Sequence, residues 1–111
     1  YVRPNDFRAS GSGLIDYKIE KIDKRCITIA LDISRKLKFQ SMAYDFIFDE
    51  NNTPKIAEMS YTFVDEAVYR CPGFFDAELN WHKGNYWPQY AQLQAFIKEI
   101  DLKQPPEDMM I

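Results

Sequence analysis

The chain has 111 residues, of which 46% are apolar and 28% charged, and its net charge is −3. This length and apolar content predict one folded domain rather than a disordered chain. Because charges of both signs are interspersed, neither nucleic acid nor an anionic membrane is the expected main partner. No stretch approaches the ~20 consecutive apolar residues of a membrane-spanning helix.

The sequence begins at Tyr1, without an initiator methionine, inside a segment typical of a strand followed by a loop. We therefore expect residues 1–111 to be a single domain and a fragment of a longer protein. Residues 1–63 are predicted to form a strand–loop–helix–hairpin core, and residues 64–111 a loop and a C-terminal helix. Cys26 and Cys71 lack the close spacing of zinc ligands. Reduced thiols, and hence a cytoplasmic protein, are the expectation.

The first half of the chain contains one strong helical pattern. Residues 1–8 suggest a short edge strand that Pro4 interrupts, residues 9–13 a flexible loop, and residues 14–19 a brief strand. Over Lys21–Leu37 apolar residues recur at steps of three and four, which predicts an amphipathic helix of about five turns. These positions are Ile22, Cys26, Ile29, Ala30, Ile33 and Leu37.

A β-hairpin is predicted next. SMAYDFIFD (41–49) and PKIAEMSYTF (54–63) are β-like runs, and the turn-forming ENNT (50–53) joins them. If Asp49 pairs with Pro54, the register brings Asp45 opposite Glu58. The intervening predicted pairs are Phe48–Lys55, Ile47–Ile56 and Phe46–Ala57.

The second half gives weaker signals. Pro72-Gly73 predicts a turn, FFDAEL (74–79) one helical turn, and NWHKGN (80–85) a loop. For His82, the only histidine, a loop or packing role is favoured over the alternative of a base or substrate contact. Pro88 is suited to open a last helix. That helix has an apolar stripe of Tyr90, Leu93, Phe96, Ile97 and Ile100. The predicted fold is α+β, an antiparallel sheet with a central β-hairpin packed by two helices.

Asp45, Glu58 and Ser60 are the candidate site residues of the hairpin. Alternation places Glu58 and Ser60 on the face of Asp45. Like charges directly opposite each other destabilise a sheet, and a hard divalent cation such as Mg²⁺ can offset that repulsion. Asp45 lies in the apolar string AYDFIF, which favours its burial. The alternative is that both carboxylates are solvated residues on an exposed sheet face.

Three strings carry a family resemblance. NDFRASGSG (5–13), AYDFIF (43–48) and IAEMSYTF (56–63), with a helix between the first two, resemble the C-terminal half of the ATP-grasp fold. That superfamily includes D-alanine–D-alanine ligase, glutathione synthetase and biotin carboxylase. The resemblance covers residues 1–63 and implies the C-terminal subdomain of that fold. Residues 64–111 contain no motif of the family.

The resemblance implies roles for particular residues. Asp45 and Glu58 match the family's Mg²⁺ ligands, while Ser60 stands where asparagine is usual, so its role as a third metal ligand is in doubt. Arg8 matches the catalytic arginine that contacts the transferred phosphate, a task suited to a bidentate guanidinium. Ser10 and Ser12 lie in the adjoining glycine-containing loop that approaches the nucleotide.

The implied function is that of an ATP-grasp ligase. Such an enzyme uses ATP and Mg²⁺, or Mn²⁺ in its place, to activate a carboxylate as an acyl-phosphate that an amine then attacks. Its partners are ATP and a small carboxylate and amine pair. This fragment alone is expected to be inactive and, because of an exposed apolar sheet edge or face, to form a homodimer. The alternatives are a degenerate, non-catalytic ATP-grasp-like binding domain and a plain α+β interaction domain.

Overall fold

The computed structural model describes residues 15–100, which form an α+β arrangement of three α-helices and two antiparallel two-stranded sheets. The helices are α1 (Lys24–Leu37), α2 (Asp65–Tyr69) and α3 (Pro88–Ile100); the strands are β1 (Ala43–Phe48), β2 (Pro54–Ser60), β3 (Gly73–Phe75) and β4 (Trp81–Lys83). The α+β class is confirmed. The predicted edge strand at 1–8, the loop at 9–13 and the tail after residue 100 lie outside the described residues.

Helix α1 begins three residues later than its apolar periodicity indicates. Asp23 is its N-cap, because the carboxylate accepts a hydrogen bond from the backbone N–H of Arg25 at 2.9 Å. Ile19–Lys21 forms a 3-10 turn instead of the end of a predicted strand or the start of the helix. The cap thus overrides the apolar repeat, which continues upstream to Ile22.

The other end of α1 is closed by a left-handed residue. Lys38 has φ = 55°, its N–H donates to the Arg35 carbonyl at 3.4 Å, and the Phe39 N–H donates to the Ser34 carbonyl at 2.9 Å. These two bonds form the Schellman motif, in which glycine is the usual left-handed residue. The helix therefore ends where predicted, at Leu37.

The hairpin β1–β2 has the predicted Asp45–Glu58 pair but a different register near its turn. Phe46 lies opposite Ile56 and Phe48 opposite Pro54, so the predicted intervening pairs are wrong. The Asp49 N–H donates to the carbonyl of Thr53 at 3.1 Å, so that the loop closes one residue earlier than predicted. A β-bulge in β2 then absorbs the extra residue, Ala57, between the two regions of pairing.

One face of this hairpin contacts α1 at two points. The hydroxyls of Ser34 and Tyr44 are 2.6 Å apart, and the Arg25 guanidinium lies 5.8 Å from the centre of the Phe48 ring. Helix α3 is tied to the same region by Gln92, whose side-chain N–H donates to the Ser41 hydroxyl at 2.9 Å. Individual contacts therefore join α1 and α3 to the hairpin. The predicted single sheet, with this hairpin at its centre, is replaced by two separate two-stranded sheets among the described residues.

Residues 64–86 are more regular than predicted. FFDAEL contains no helical turn, and NWHKGN is not only loop, because β3 and β4 form a second hairpin there. Its pairs are Gly73–Lys83, Phe74–His82 and Phe75–Trp81. Three-residue strands are too short to show an alternating pattern, which explains why the sequence did not predict them.

Apolar side chains of the described residues are mostly half-buried or exposed. Ala67 and Pro88 alone are classed as buried within 15–98. In the predicted stripe of α3, Tyr90, Leu93 and Phe96 are 55%, 54% and 45% exposed. These three side chains are therefore only partly covered, whereas the sequence predicted a packed face. None of the described helices is both long and apolar enough to cross a membrane.

Candidate functional site

Asp45 and Glu58 lie side by side on the outer face of the first hairpin. They are direct cross-strand partners, so their side chains project from the same face of the sheet. Tyr44 and Phe46, on either side of Asp45, are half-buried on the opposite face, where the Tyr44 hydroxyl contacts Ser34 of α1. The facing pair predicted from the sequence is therefore present in the described hairpin.

Both carboxylates are exposed, and the expected burial of Asp45 is wrong. Alternation explains the difference, because Tyr44 and Phe46 lie on the half-buried face of the hairpin while Asp45 lies on the other face. Two unit charges 4 Å apart in water interact by only about 1 kcal/mol, and salt reduces this further. The hairpin can thus tolerate the pair without an ion, so a cation is a suitable ligand here and not a structural requirement.

Ser60 is already hydrogen-bonded within its own turn. Its hydroxyl donates to the Thr62 carbonyl at 2.8 Å and accepts from the Thr62 N–H at 3.1 Å. The hydroxyl is half-buried at the end of β2, opposite Ala43 and one pair beyond Glu58. The Thr62 hydroxyl lies 3.2 Å from the same oxygen and competes for its remaining lone pair. Ser60 is therefore a weaker candidate ligand than either carboxylate.

The donor set fits a hard cation that retains water. Within residues 15–98 no group of three or more His, Cys, Asp or Glu side chains could enclose a metal ion. Two carboxylates, a hydroxyl and open solvent match Mg²⁺, which commonly binds one or two carboxylates and completes its shell with water and phosphate. They do not match a closed zinc site, which needs four nitrogen or sulfur ligands.

The remaining predicted site residues cannot be placed. Arg8, Ser10 and Ser12 lie outside the described residues. Their assignments to phosphate and nucleotide binding stay predictions from the sequence resemblance.

Asp76 and His82 form a pair that the sequence did not predict. The Asp76 Oδ2 and the His82 Nε2 are 2.7 Å apart across the second hairpin, and the Phe74 ring stacks on the imidazole with centroids 5.2 Å apart. Asp76 Oδ1 also accepts the backbone N–H groups of Glu78 and Asn80, each at 2.9 Å. His82, followed by these backbone bonds, holds the pKa of the Asp76 carboxyl below its ordinary value.

The geometry of the Asp76–His82 pair fits the stabilisation of a loop better than a role in catalysis. The imidazole is 50% exposed and the Asp76 side chain 27% exposed. Among the described residues, the thiol near β3 is that of Cys71. Burial raises the pKa of this thiol, which disfavours the nucleophilic thiolate. The sequence offers one signal for this loop, because Asp76 precedes Asn80 by four residues just as Asp49 precedes Thr53 in the first hairpin.

A scan against protein-family models, a search of the curated proteins and a search of the solved structures each returned no match. Function is therefore inferred from the residues and their geometry.

Proposed function

We propose that this chain is the C-terminal part of an ATP-dependent ligase of the ATP-grasp type. The enzyme activates a carboxylate as an acyl-phosphate, which an amine or a similar nucleophile then attacks. The observation that supports this proposal is the facing of Asp45 and Glu58 on an exposed sheet face. Their spacing in the sequence, and the strings around them, resemble the metal-binding strands of that superfamily.

Each proposed site residue has a task that its chemistry suits. Asp45 and Glu58 hold Mg²⁺, or Mn²⁺ in its place, and the Ser60 hydroxyl offers a third oxygen. When bound, the ion neutralises the charge of the ATP phosphates. Arg8 is the proposed catalytic residue that stabilises the transferred phosphate, and Ser10 and Ser12 approach the nucleotide. Positioning and charge stabilisation suffice for this reaction, so that no side-chain nucleophile is required.

The proposal also defines the partners. ATP and a small carboxylate and amine pair are bound by a longer, cytoplasmic protein, while nucleic acid and membranes are not partners. The lysines that bind adenine in this superfamily precede the matched strings, so residues 1–111 alone are expected to be inactive. The exposed apolar residues of α3 favour a homodimer of the fragment.

Metal binding can be tested on the 111-residue chain with Mn²⁺ as a paramagnetic probe. Substoichiometric Mn²⁺ should broaden the backbone amide signals of Asp45 and Glu58 first, because relaxation falls steeply with distance from the ion. Asp45→Asn or Glu58→Gln should abolish this selective broadening. Glu50→Gln, which removes an exposed carboxylate from the loop of the same hairpin, is the matched control and should leave it unchanged. Equal broadening in all variants would reject the site.

Catalysis requires the longer protein. In that protein Asp45→Asn and Glu58→Gln should each reduce phosphate release from ATP by at least about a hundredfold, the scale reported for removing one charge-stabilising group. Undiminished release would overturn the assignment of these two residues.

The alternative function is a degenerate ATP-grasp-like module that binds without turnover. The hydrogen bonds that occupy Ser60, together with serine in place of asparagine, favour this alternative. Nucleotide binding by the longer protein without any phosphate release would support it over the ligase.

A further inference from the structure

A surface cavity of about 460 Å³ lies between the start of α1 and the second hairpin. Its walls are largely apolar, with Phe75 and Trp81 from β3 and β4 and Leu79 from the loop between them. The polar residues on its lining are Glu20, Lys24 and Asn80. This volume lies within the range of small-molecule sites, although the cavity is more open to solvent than most of them.

Two opposite charges line this cavity without neutralising each other. The Glu20 carboxylate forms no ion pair with any described residue, and neither does the Lys24 ammonium, which lies 5.7 Å from the centre of the Phe75 ring. Neighbouring charges on the same segment are paired with one another, as Lys21 with Asp16 at 2.6 Å and Arg25 with Asp23 at 2.7 Å.

We propose that this cavity binds a small zwitterion with an apolar side chain, such as a free apolar amino acid. Lys24 pairs with the ligand carboxylate, Glu20 with its ammonium group, and Phe75 and Trp81 contact the side chain. A ligand with a single charge leaves one of the two protein charges without a partner, which lowers its relative affinity. The site is separate from Asp45 and Glu58, and the proposal does not depend on the ligase function.

The cavity is open to solvent, so weak binding is expected. Exposed ion pairs contribute little each, and a ligand of about a dozen heavy atoms reaches affinities in the millimolar range. Such binding is measurable by NMR titration of the 111-residue chain.

The two tryptophans provide the probe and its internal control. Trp81 lines the cavity, whereas Trp87 stacks on Tyr69 with ring centroids 4.0 Å apart and does not line it. L-Phenylalanine should shift the indole N–H signal of Trp81 in a saturable manner and leave that of Trp87 in place. A Trp87→Phe variant assigns the two signals. Glycine, which has both charges and no apolar side chain, should produce no shift of Trp81 at concentrations below roughly 50 times the phenylalanine midpoint.

Single-charge analogues test the two ion pairs separately. Lys24→Met should weaken binding of phenylalanine and of 3-phenylpropionate about fivefold, the upper range for an exposed ion pair, and leave phenethylamine unaffected. Glu20→Gln should weaken phenylalanine and phenethylamine similarly and leave 3-phenylpropionate unaffected. Unchanged dispersion of the amide signals confirms that each variant is folded.

Three results would overturn the proposal. The first is a Trp81 signal that does not move up to the solubility limit of phenylalanine. The second is an equal shift of Trp81 and Trp87, which indicates non-specific association. The third is an equal effect of both charge variants on all three aromatic ligands, since charge recognition requires opposite preferences.

Discussion

Asp49 and Asp76 make the same hydrogen bonds in the two hairpin loops. In each loop Oδ1 accepts the backbone N–H groups two and four residues later, all at 2.9 Å. The backbone N–H of each aspartate donates to the carbonyl four residues later, at 3.1 Å and 3.0 Å. The residue three positions after each aspartate is left-handed, with φ = 58° at Asn52 and 64° at Leu79. The same pattern of hydrogen bonds therefore closes both hairpin loops.

Removal of either aspartate should destabilise its hairpin. Asp49→Ala and Asp76→Ala each leave two loop N–H groups without their carboxylate acceptor, so the urea midpoint of unfolding should fall. Asp49→Asn should retain more stability than Asp49→Ala, because the amide oxygen can still accept both bonds. At the second loop the Asn variant should lose more than at the first, since Asp76 also pairs with His82. Equal loss in the two Asn variants would contradict this account.

Acid should weaken both loops. Backbone N–H groups lower the pKa of the Asp49 carboxyl, and His82 together with backbone N–H groups lowers that of Asp76, each from an ordinary value of 3.8. A lowered pKa in the folded state means that the stabilisation is complete above the ordinary value and is lost as the pH falls through the folded value. The urea midpoint should therefore decline as the pH is lowered below about 5.

The control for this pH dependence is the Asp49→Asn, Asp76→Asn double variant. It should be less stable at neutral pH but should lose less stability between pH 5 and pH 3, roughly the range in which carboxyl groups titrate. Parallel curves for the double variant and the unmodified chain would assign the acid sensitivity to other carboxylates.

Asn52 should not tolerate a bulky residue. Asparagine and glycine adopt the left-handed conformation more readily than other residues, whereas for most L-residues it costs about 1–2 kcal/mol. We expect Asn52→Leu to lower the free energy of unfolding by about 1 kcal/mol and Asn52→Gly to be close to neutral. Chemical denaturation measures both variants, and a leucine variant as stable as the glycine variant would disprove the argument. Leu79 carries this cost in the second loop, where its side chain lines the cavity.

Lys38 offers a stabilising substitution at the end of α1. Its φ of 55° suits glycine, and its side chain forms no ion pair with another described residue. Lys38→Gly should raise the free energy of unfolding by about 1 kcal/mol. Lys38→Ala removes the same side chain but keeps the β-carbon and should give no such gain. A gain in both variants would attribute the effect to the lost charge instead.

The sequence predicted elements whose patterns are long and missed those whose patterns are short. Helix α1 and the first hairpin were predicted because several turns of apolar repeat and two β-like runs mark them. The second hairpin was missed because Pro72-Gly73 suggested a turn. Gly73 instead starts β3, where a β-carbon would come within 2.3 Å of the His82 carbonyl oxygen.

The candidate site was predicted in part. The Asp45–Glu58 pair followed from hairpin pairing alone, even though the bulge at Ala57 changes the register on the turn side. Exposure of Asp45 was missed because the apolar string was taken as a single environment, whereas alternation separates its two faces. The Asp76–His82 pair depends on a loop geometry that only the fold brings together.

The last prediction concerns the repulsion between Asp45 and Glu58 themselves. Without divalent cations, Asp45→Asn and Glu58→Gln should each raise the free energy of unfolding by about 0.2–1 kcal/mol, because each removes a facing like charge. Mg²⁺ should stabilise the unmodified chain, since a ligand of the native state shifts the equilibrium toward it, and should stabilise both variants less. The difference between the unmodified chain and the variants should therefore narrow as Mg²⁺ is added at constant ionic strength. Glu50→Gln, in the same hairpin but without a facing carboxylate, should show neither effect. An equal response to Mg²⁺ in all four proteins would show that the ion acts on general charge and not on the facing pair.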